Sequence, residues 1–462
     1  MRGSRAFVVL VAGALGGGFA FGLGCLPLRA QTDDQAPAEP KPRFRLGGEL
    51  KIHGRYTDDL EVRSDFPFPP PFIPPGQAAV FLRTPDPGFS REISTVTLTG
   101  EMHLDPTIEG RFELHYEDLY NRNPTSSDDK LQVREAWLSF GRRFEPLDDQ
   151  PEPRSWYLLS GKAPRFTKQR VRRLESYGLW GTAVGRFEEV MLEFGGTHGS
   201  HFYWRANVAS GNPLFMRDPN ALAGDNGTPE RDPRVFPGDV HPTFESGFPI
   251  LYDTKSTSVD FDGELQLGGG LGWRSRKDED HACDAVLWYF HRTLADRVSL
   301  DGTFYSGDLK LLEGPFPAVF HAGLPIHGDE KSEVGLNFEA KHGPWGTFVQ
   351  VVDQEIAGLE RRGAEADLAW RVEIPGVLVG ETPVFRWVQP AVRVSFIDNR
   401  FEAPAAYPNP AVAWDWRKYD VGVRVGVVPG IDFTFEYSYN EMKAPQGDLH
   451  IGEGLATLRA GF

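Results

Sequence analysis

KYDVGVRVGVVPGIDFTFEYSYNEM, residues 418–442, reads as two strands joined by a short connection at Val428–Gly430. Ile431, Phe433, Phe435, Tyr437 and Tyr439 alternate with Asp432, Thr434, Glu436 and Ser438. Before them, Val421, Val423, Val425 and Val427 alternate with Gly422, Arg424 and Gly426. Successive side chains of a strand point to opposite faces, so each run has one oily side and one wet side. Aromatics and valines opposed to charges suit a wall between lipid and water, the pattern of a transmembrane β-barrel. The chain ends in the same way, with Ala456, Leu458, Ala460 and Phe462 opposed to Thr457, Arg459 and Gly461.

The alternation recurs toward the N-terminus. Phe44, Leu46, Leu50, Ile52 and Tyr56 oppose Arg43, Arg45, Glu49, Lys51, His53 and Arg55. Val96, Leu98, Met102 and Leu104 oppose Thr95, Thr97, Thr99 and His103, and Val259, Phe261, Leu265 and Leu267 oppose Asp260, Asp262, Glu264 and Gln266. Helical periodicity is hard to find. About eighteen strands can be placed, or sixteen if two weak ones are misread, giving an all-β antiparallel barrel of 16–18 strands with short periplasmic turns and long extracellular loops. Short connections are expected at 105–109, 197–200, 268–270, 294–296, 343–345 and 428–430. Long ones are expected at 57–93, 119–130, 162–187, 210–255, 306–331, 399–418 and 441–452. A soluble β-sandwich or propeller would share the alternation, but would not require this rhythm or an aromatic-ended last strand.

Residues 1–30 read as a signal peptide: Arg2 and Arg5 precede an apolar stretch from Ala6 to Leu26, with cleavage after Ala30. Lipidation at Cys25 and retention as an anchor are the alternatives. Residues 31–42 form a proline-rich periplasmic tether, and 43–462 the barrel. Beyond the leader no apolar run approaches the ~20 residues of a membrane helix, and mean hydropathy is -0.37. Cys283 is the one cysteine left, so intramolecular disulfides are excluded. The net charge of -16 argues against nucleic acid as a partner.

Lys162, Arg165, Lys168, Arg170, Arg172 and Arg173 fall in one stretch without an acid, inside an acidic protein. They open the third external loop. Folded into the lumen, such a cluster would favour anions, because a low-dielectric constriction amplifies fixed charge. Left outside, it would bind water or the phosphates of lipopolysaccharide. Arg134, Arg205, Arg371, Arg393, Arg424 and Arg459 sit on polar strand faces and are lumen-facing candidates, either steering ions or pairing with wall carboxylates. Trp137, Phe140, Tyr157, Trp204, Trp273, Trp288, Tyr289, Trp370, Trp387, Tyr437 and Tyr439 are expected in interfacial girdles, or as sugar-stacking surfaces. His198 and His201 are spaced as H-x-x-H but lack a third metal ligand, and the acids of 210–255 fit no calcium loop. No G-x-S-x-G, HExxH or P-loop is present, so no catalytic residue or cofactor is expected.

VREAWLSF (133–140), WYLLSGKAPRF (156–166) and RRLESYGLW (172–180) resemble the phosphate-selective porin O and P family. TVTLTGEMHLDPTIEGRFELHYED (95–118), ERRGAEADLAWRV (360–372) and 418–442 are similar to further strands of that family. The alginate-export porins share an REAW-like strand followed by a basic loop. Either resemblance implies a passive outer-membrane channel for small anionic solutes, phosphate-like or acidic sugars, with Lys162, Arg165 and Lys168 near the constriction. It also implies outer-membrane lipid and lipopolysaccharide as surroundings, and the barrel-assembly machinery as a partner of Phe462. Homotrimers are common among such porins, though the sequence fixes no number. A plugged barrel serving as a binding or structural protein, and an outer-membrane hydrolase, are the alternatives.

Overall fold

The computed structural model describes residues 43–59, 61–65, 79–83, 88–117, 130–145, 147, 152–183, 188–210, 243–244, 256–259, 265–293, 298–300, 330–356, 358–402, 414–444 and 447–462. The leader, the tether, Cys25 and the acids of 210–255 lie outside them.

Sixteen antiparallel strands close into a barrel. They are β1 (Arg43–Thr57), β2 (Gly88–Asp105), β3 (Ile108–Glu117), β4 (Lys130–Gly141), β5 (Trp156–Pro164), β6 (Glu188–His198), β7 (Phe202–Ala209) and β8 (Gln266–Arg276). Then follow β9 (His281–Thr293), β10 (Glu330–His342), β11 (Trp345–Ile356), β12 (Leu359–Trp370), β13 (Trp387–Asn399), β14 (Asp415–Val428), β15 (Ile431–Ala444) and β16 (Gly447–Gly461). β12 continues as Val372–Glu373. Closure is the pairing of β1 with both β2 and β16, and Phe462 extends it by exchanging backbone hydrogen bonds of 3.0 Å with Gly48. A closed ladder satisfies every strand edge, which an apolar surrounding demands.

The molecule is inside out. Leu46, Leu192, Leu271, Val421 and Phe435 are 52–60% exposed on the outer wall, whereas Arg55, Glu365, Lys418 and Thr457 on the inner wall are 0–1% exposed. The period-two pattern thus sets both faces. Trp345 and Trp370 stack 5.5 Å apart on the outer face near the barrel end where Arg43 and Phe462 lie, as a girdle requires. Trp137, Tyr157 and Trp288 do not belong to a girdle. They point inward and are 0–8% exposed, with their polar atoms donating to Glu135, Glu193 and Asn337.

The third external connection follows β5, as expected. The expected turn at 268–270 is instead the middle of β8, and the turn lies at 277–280. Ser256–Val259 pairs with Val298–Leu300 in a separate two-stranded sheet, so Val259 belongs to no barrel strand. These two segments are the surplus that raised the count to eighteen. The turn expected at 294–296 lies outside the described residues. The long loop expected at 441–452 is absent, since β15 and β16 are paired from Ala444↔Gly447 onward.

Candidate functional site: a loop drawn into the lumen

The connection between β5 and β6 enters the barrel. Arg165, Thr167, Arg173, Leu174, Glu175, Ser176, Leu179 and Trp180 are all 5% exposed or less. Strands from most of the circumference hold this inner loop. Arg165 donates to Glu189 of β6 at 2.9 Å, Glu333 of β10 at 2.7 Å and Gln266 of β8 at 2.7 Å, and lies over the Phe290 ring. Burial would lower its pKa, but Glu189 and Glu333 outweigh this and raise it, so the guanidinium stays charged. Asp367 of β12 accepts from Gln169 at 2.6 Å and from Arg173 at 2.7 Å.

Farther along, the wall binds the loop's backbone. Glu436 accepts from the amides of Glu175 and Ser176. Glu365 accepts from those of Trp180 and Gly181 at the start of the short helix α1 (Leu179–Ala183). Gly178 leaves room for that carboxylate, since a Cβ would stand 1.9 Å from Glu365 Oε2 and displace it. Arg393 donates to the Ser176 carbonyl and hydroxyl, and Lys418 donates to the Tyr177 carbonyl at 2.7 Å. Glu175 itself meets Lys51 of β1 at 3.1 Å. Burial would raise its carboxyl pKa, but Lys51, Arg172 and Arg424 overcome that and hold it at about 2.

The basic cluster is therefore divided. Arg165 and Arg173 are buried in ion pairs and act as anchors. Lys162 stands in register with Ala136 and Val190, which face outward, and Val190 is 60% exposed. Lys162 Nζ donates to the Val133 carbonyl. Arg170 pairs with Glu145, and Arg172 donates to the Glu175 carbonyl and the Tyr177 hydroxyl. Lys168 is 42% exposed, 3.8 Å from Glu188.

Wall arginines are mostly paired too. Arg134 meets Glu188 at 3.2 Å, Arg393 meets Asp420 at 2.8 Å, and Arg424 and Arg459 share Asp432. Arg205 lies among Phe144, Phe166 and Tyr203, with Glu193 at 3.7 Å. Arg371, at the strand break, meets Glu373 at 2.8 Å and stacks on Trp387.

What the loop leaves open is a cavity of about 540 Å³, bounded mainly by β1–β4. Its lining includes Lys51, Arg111, Arg134, Lys168, Arg172 and Arg393 against Glu49, Glu113, Glu175, Glu188 and Glu365, with Thr95, Thr97 and Thr99 between. A second cavity of about 390 Å³ shares Arg111, Lys168 and Gln169 with it. A third, of about 530 Å³, lies beside Gly461 and is lined by Arg371, Arg386 and Arg459 with Glu49, Glu373 and Asp432.

No protein-family model matches the chain, and no curated protein matches it in sequence. Among solved structures it is similar to the outer membrane channel DcaP of Acinetobacter baumannii, at 10% identity and TM-score 0.49, over 91% of this chain and 98% of that one. OprB of Pseudomonas putida is similar at 10% identity and TM-score 0.47, over 91% and 94%. The anion-selective porin from Comamonas acidovorans is similar at 9% identity and TM-score 0.43, over 91% and 100%. At such identities no residue of theirs is matched to a residue here.

Sequence reasoning missed the acids that hold the loop, above all Glu365 and Asp367. Their signal was their position on the polar face of ERRGAEADLAWRV, where each alternates with alanine or leucine. His198 and His201 flank the β6–β7 turn, and no group of three His, Cys, Asp or Glu side chains able to hold a metal occurs among the described residues.

Proposed function

We propose that the protein is a passive diffusion channel for small hydrophilic solutes in the outer membrane of a Gram-negative-type bacterium, with a modest preference for anions. The observation that carries this reading is the cavity between the inner loop and β1–β4, a polar space bounded by charged and hydroxyl side chains inside an apolar-coated barrel. Fixed charges of both signs hold water and ions in such a space at little cost. Six cationic side chains and five carboxylates line it; with the second cavity, which shares Arg111 and Lys168, the count is ten of each, so the small positive surplus belongs to the larger cavity alone. A surplus of that size supports no more than weak anion preference and gives no support to a dedicated phosphate site, because Arg111, Arg134 and Arg393 are already paired with carboxylates and Arg172 is held by the Glu175 carbonyl and the Tyr177 hydroxyl.

The buried aromatic side chains inside the barrel favour one other reading, a closed barrel that binds a partner or stiffens the membrane. Planar-bilayer recording in a salt gradient separates the two. Steady conductance with a reversal potential toward chloride is expected, and its displacement toward the cation is expected for Lys168→Glu with Arg172→Glu. A silent bilayer overturns the channel; a cation preference in the unaltered protein overturns the anion preference.

A further inference from the structure

Inward-facing aromatic rings concentrate on one side of the lumen, each seated on a glycine of a neighbouring strand. Tyr157 lies on Gly195, Tyr203 on Gly272, Phe290 on Gly268 and Trp288 on Gly335, and Phe166 of the inner loop lies on Gly270. A Cβ built at any of these glycines would stand 1.9–2.7 Å from the ring. The glycines thus let β5–β10 carry large rings without pushing the wall outward. Met191 and Val286 fill between them and are 3–4% exposed, while Leu159 and Phe166 mark the border with the second cavity. The Tyr157 and Tyr203 hydroxyls donate to Glu193 and Asp284, so no water is needed to satisfy them. A close-packed apolar filling of this kind does not conduct ions.

Opposite, Thr95, Thr97 and Thr99 of β2 stay partly exposed to the larger cavity. Arg111 of β3 is held by Glu101 at 3.3 Å, Glu113 at 2.7 Å and Glu135 at 3.3 Å, whereas Lys168 has one carboxylate at 3.8 Å. Both line the two inner cavities at once, which is where a path joining them must narrow.

We propose that solutes cross off-axis, in a strip against β1–β4 that reaches the near side of β5–β7 at the second cavity, and that Arg111 and Lys168 line its throat and set its ion selectivity. This rests on the channel reading. Arg111 is the rigid charge of the pair and Lys168 the adjustable one.

The test uses the full chain with Cys25→Ser and Cys283→Ser as background, carrying either Thr97→Cys or Val286→Cys, and a cationic methanethiosulfonate reagent. Modification is expected to cut the current of the Thr97→Cys protein at least twofold and leave that of Val286→Cys unchanged. A fall in current for Val286→Cys, or none for Thr97→Cys, overturns the off-axis path. Arg111→Gln leaves three carboxylates at the throat and is expected to shift anion-to-cation permeability several-fold toward cations; unchanged permeability overturns the throat assignment. If the background protein conducts nothing, the channel reading fails. Thiol labelling read by mass then still decides the path: label at 97 and none at 286 supports a wet strip there, and any other pattern overturns it.

Discussion

Arg165 shows how one residue type serves two ends. On sequence it is one of six cations in an acid-free stretch, yet its guanidinium is 1% exposed between Glu189 and Glu333. Removing one partner of a buried ion pair leaves uncompensated charge, at a cost of about 3–5 kcal/mol. Arg165→Ala is therefore expected to lower stability by about that much in a urea titration of the refolded barrel. Arg362→Ala, which breaks the exposed pair with Asp353, is expected to cost under about 1 kcal/mol. Glu175 adds a pH dependence. Its carboxyl is held at about 2 in the folded state, below its ordinary value of 4.5. Its stabilising contact with Lys51 is complete above that ordinary value and is lost as pH falls from about 4.5 toward 2. Urea midpoints at pH 6 and pH 3 are expected to differ less in Glu175→Gln than in the parent; an equal difference would assign the effect elsewhere.

At the scale of elements, the inner loop and β8 carry the instructive differences. The loop's basic composition was legible, and so was its place as the third external connection. Its fixation was not, since Arg165 and Glu333 are 168 residues apart and Ser176 and Glu436 are 260 apart. Replacing Glu365 and Glu436 together by glutamine weakens the capture of four loop amides. The expected outcome is a noisier open-channel current with little change in the folded fraction, read by single-channel recording. An unchanged noise level would mean that the side-chain anchors Arg165 and Arg173 suffice. In β8, LGGGLG reads as a turn because glycine usually marks one. Here the inward glycines 268, 270 and 272 make room for rings supplied by β9, the inner loop and β7. A close approach and a turn ask for the same residue, and local sequence does not separate them.

For the whole molecule, a sixteen-stranded wall with an apolar exterior demands lipid or detergent. The purified chain is expected to remain folded in detergent micelles and to precipitate on detergent removal, followed by light scattering and circular dichroism. A folded, monodisperse protein in plain buffer would contradict the outward placement of residues such as Leu46 and Phe435. The negative net charge says little about what passes through the barrel, because charges beyond about 10 Å are screened and the lumen carries its own balance.

Alternation of side chains is a local property, repeated every two residues, so the barrel, its lipid-facing side and the position of most strands can be read along the chain. The strand count, the inward rings and the pairing of the basic loop depend on neighbours brought together by closure of the sheet. These emerge in the folded barrel alone, because a glycine or an arginine carries no record of the ring or carboxylate that will occupy the space beside it.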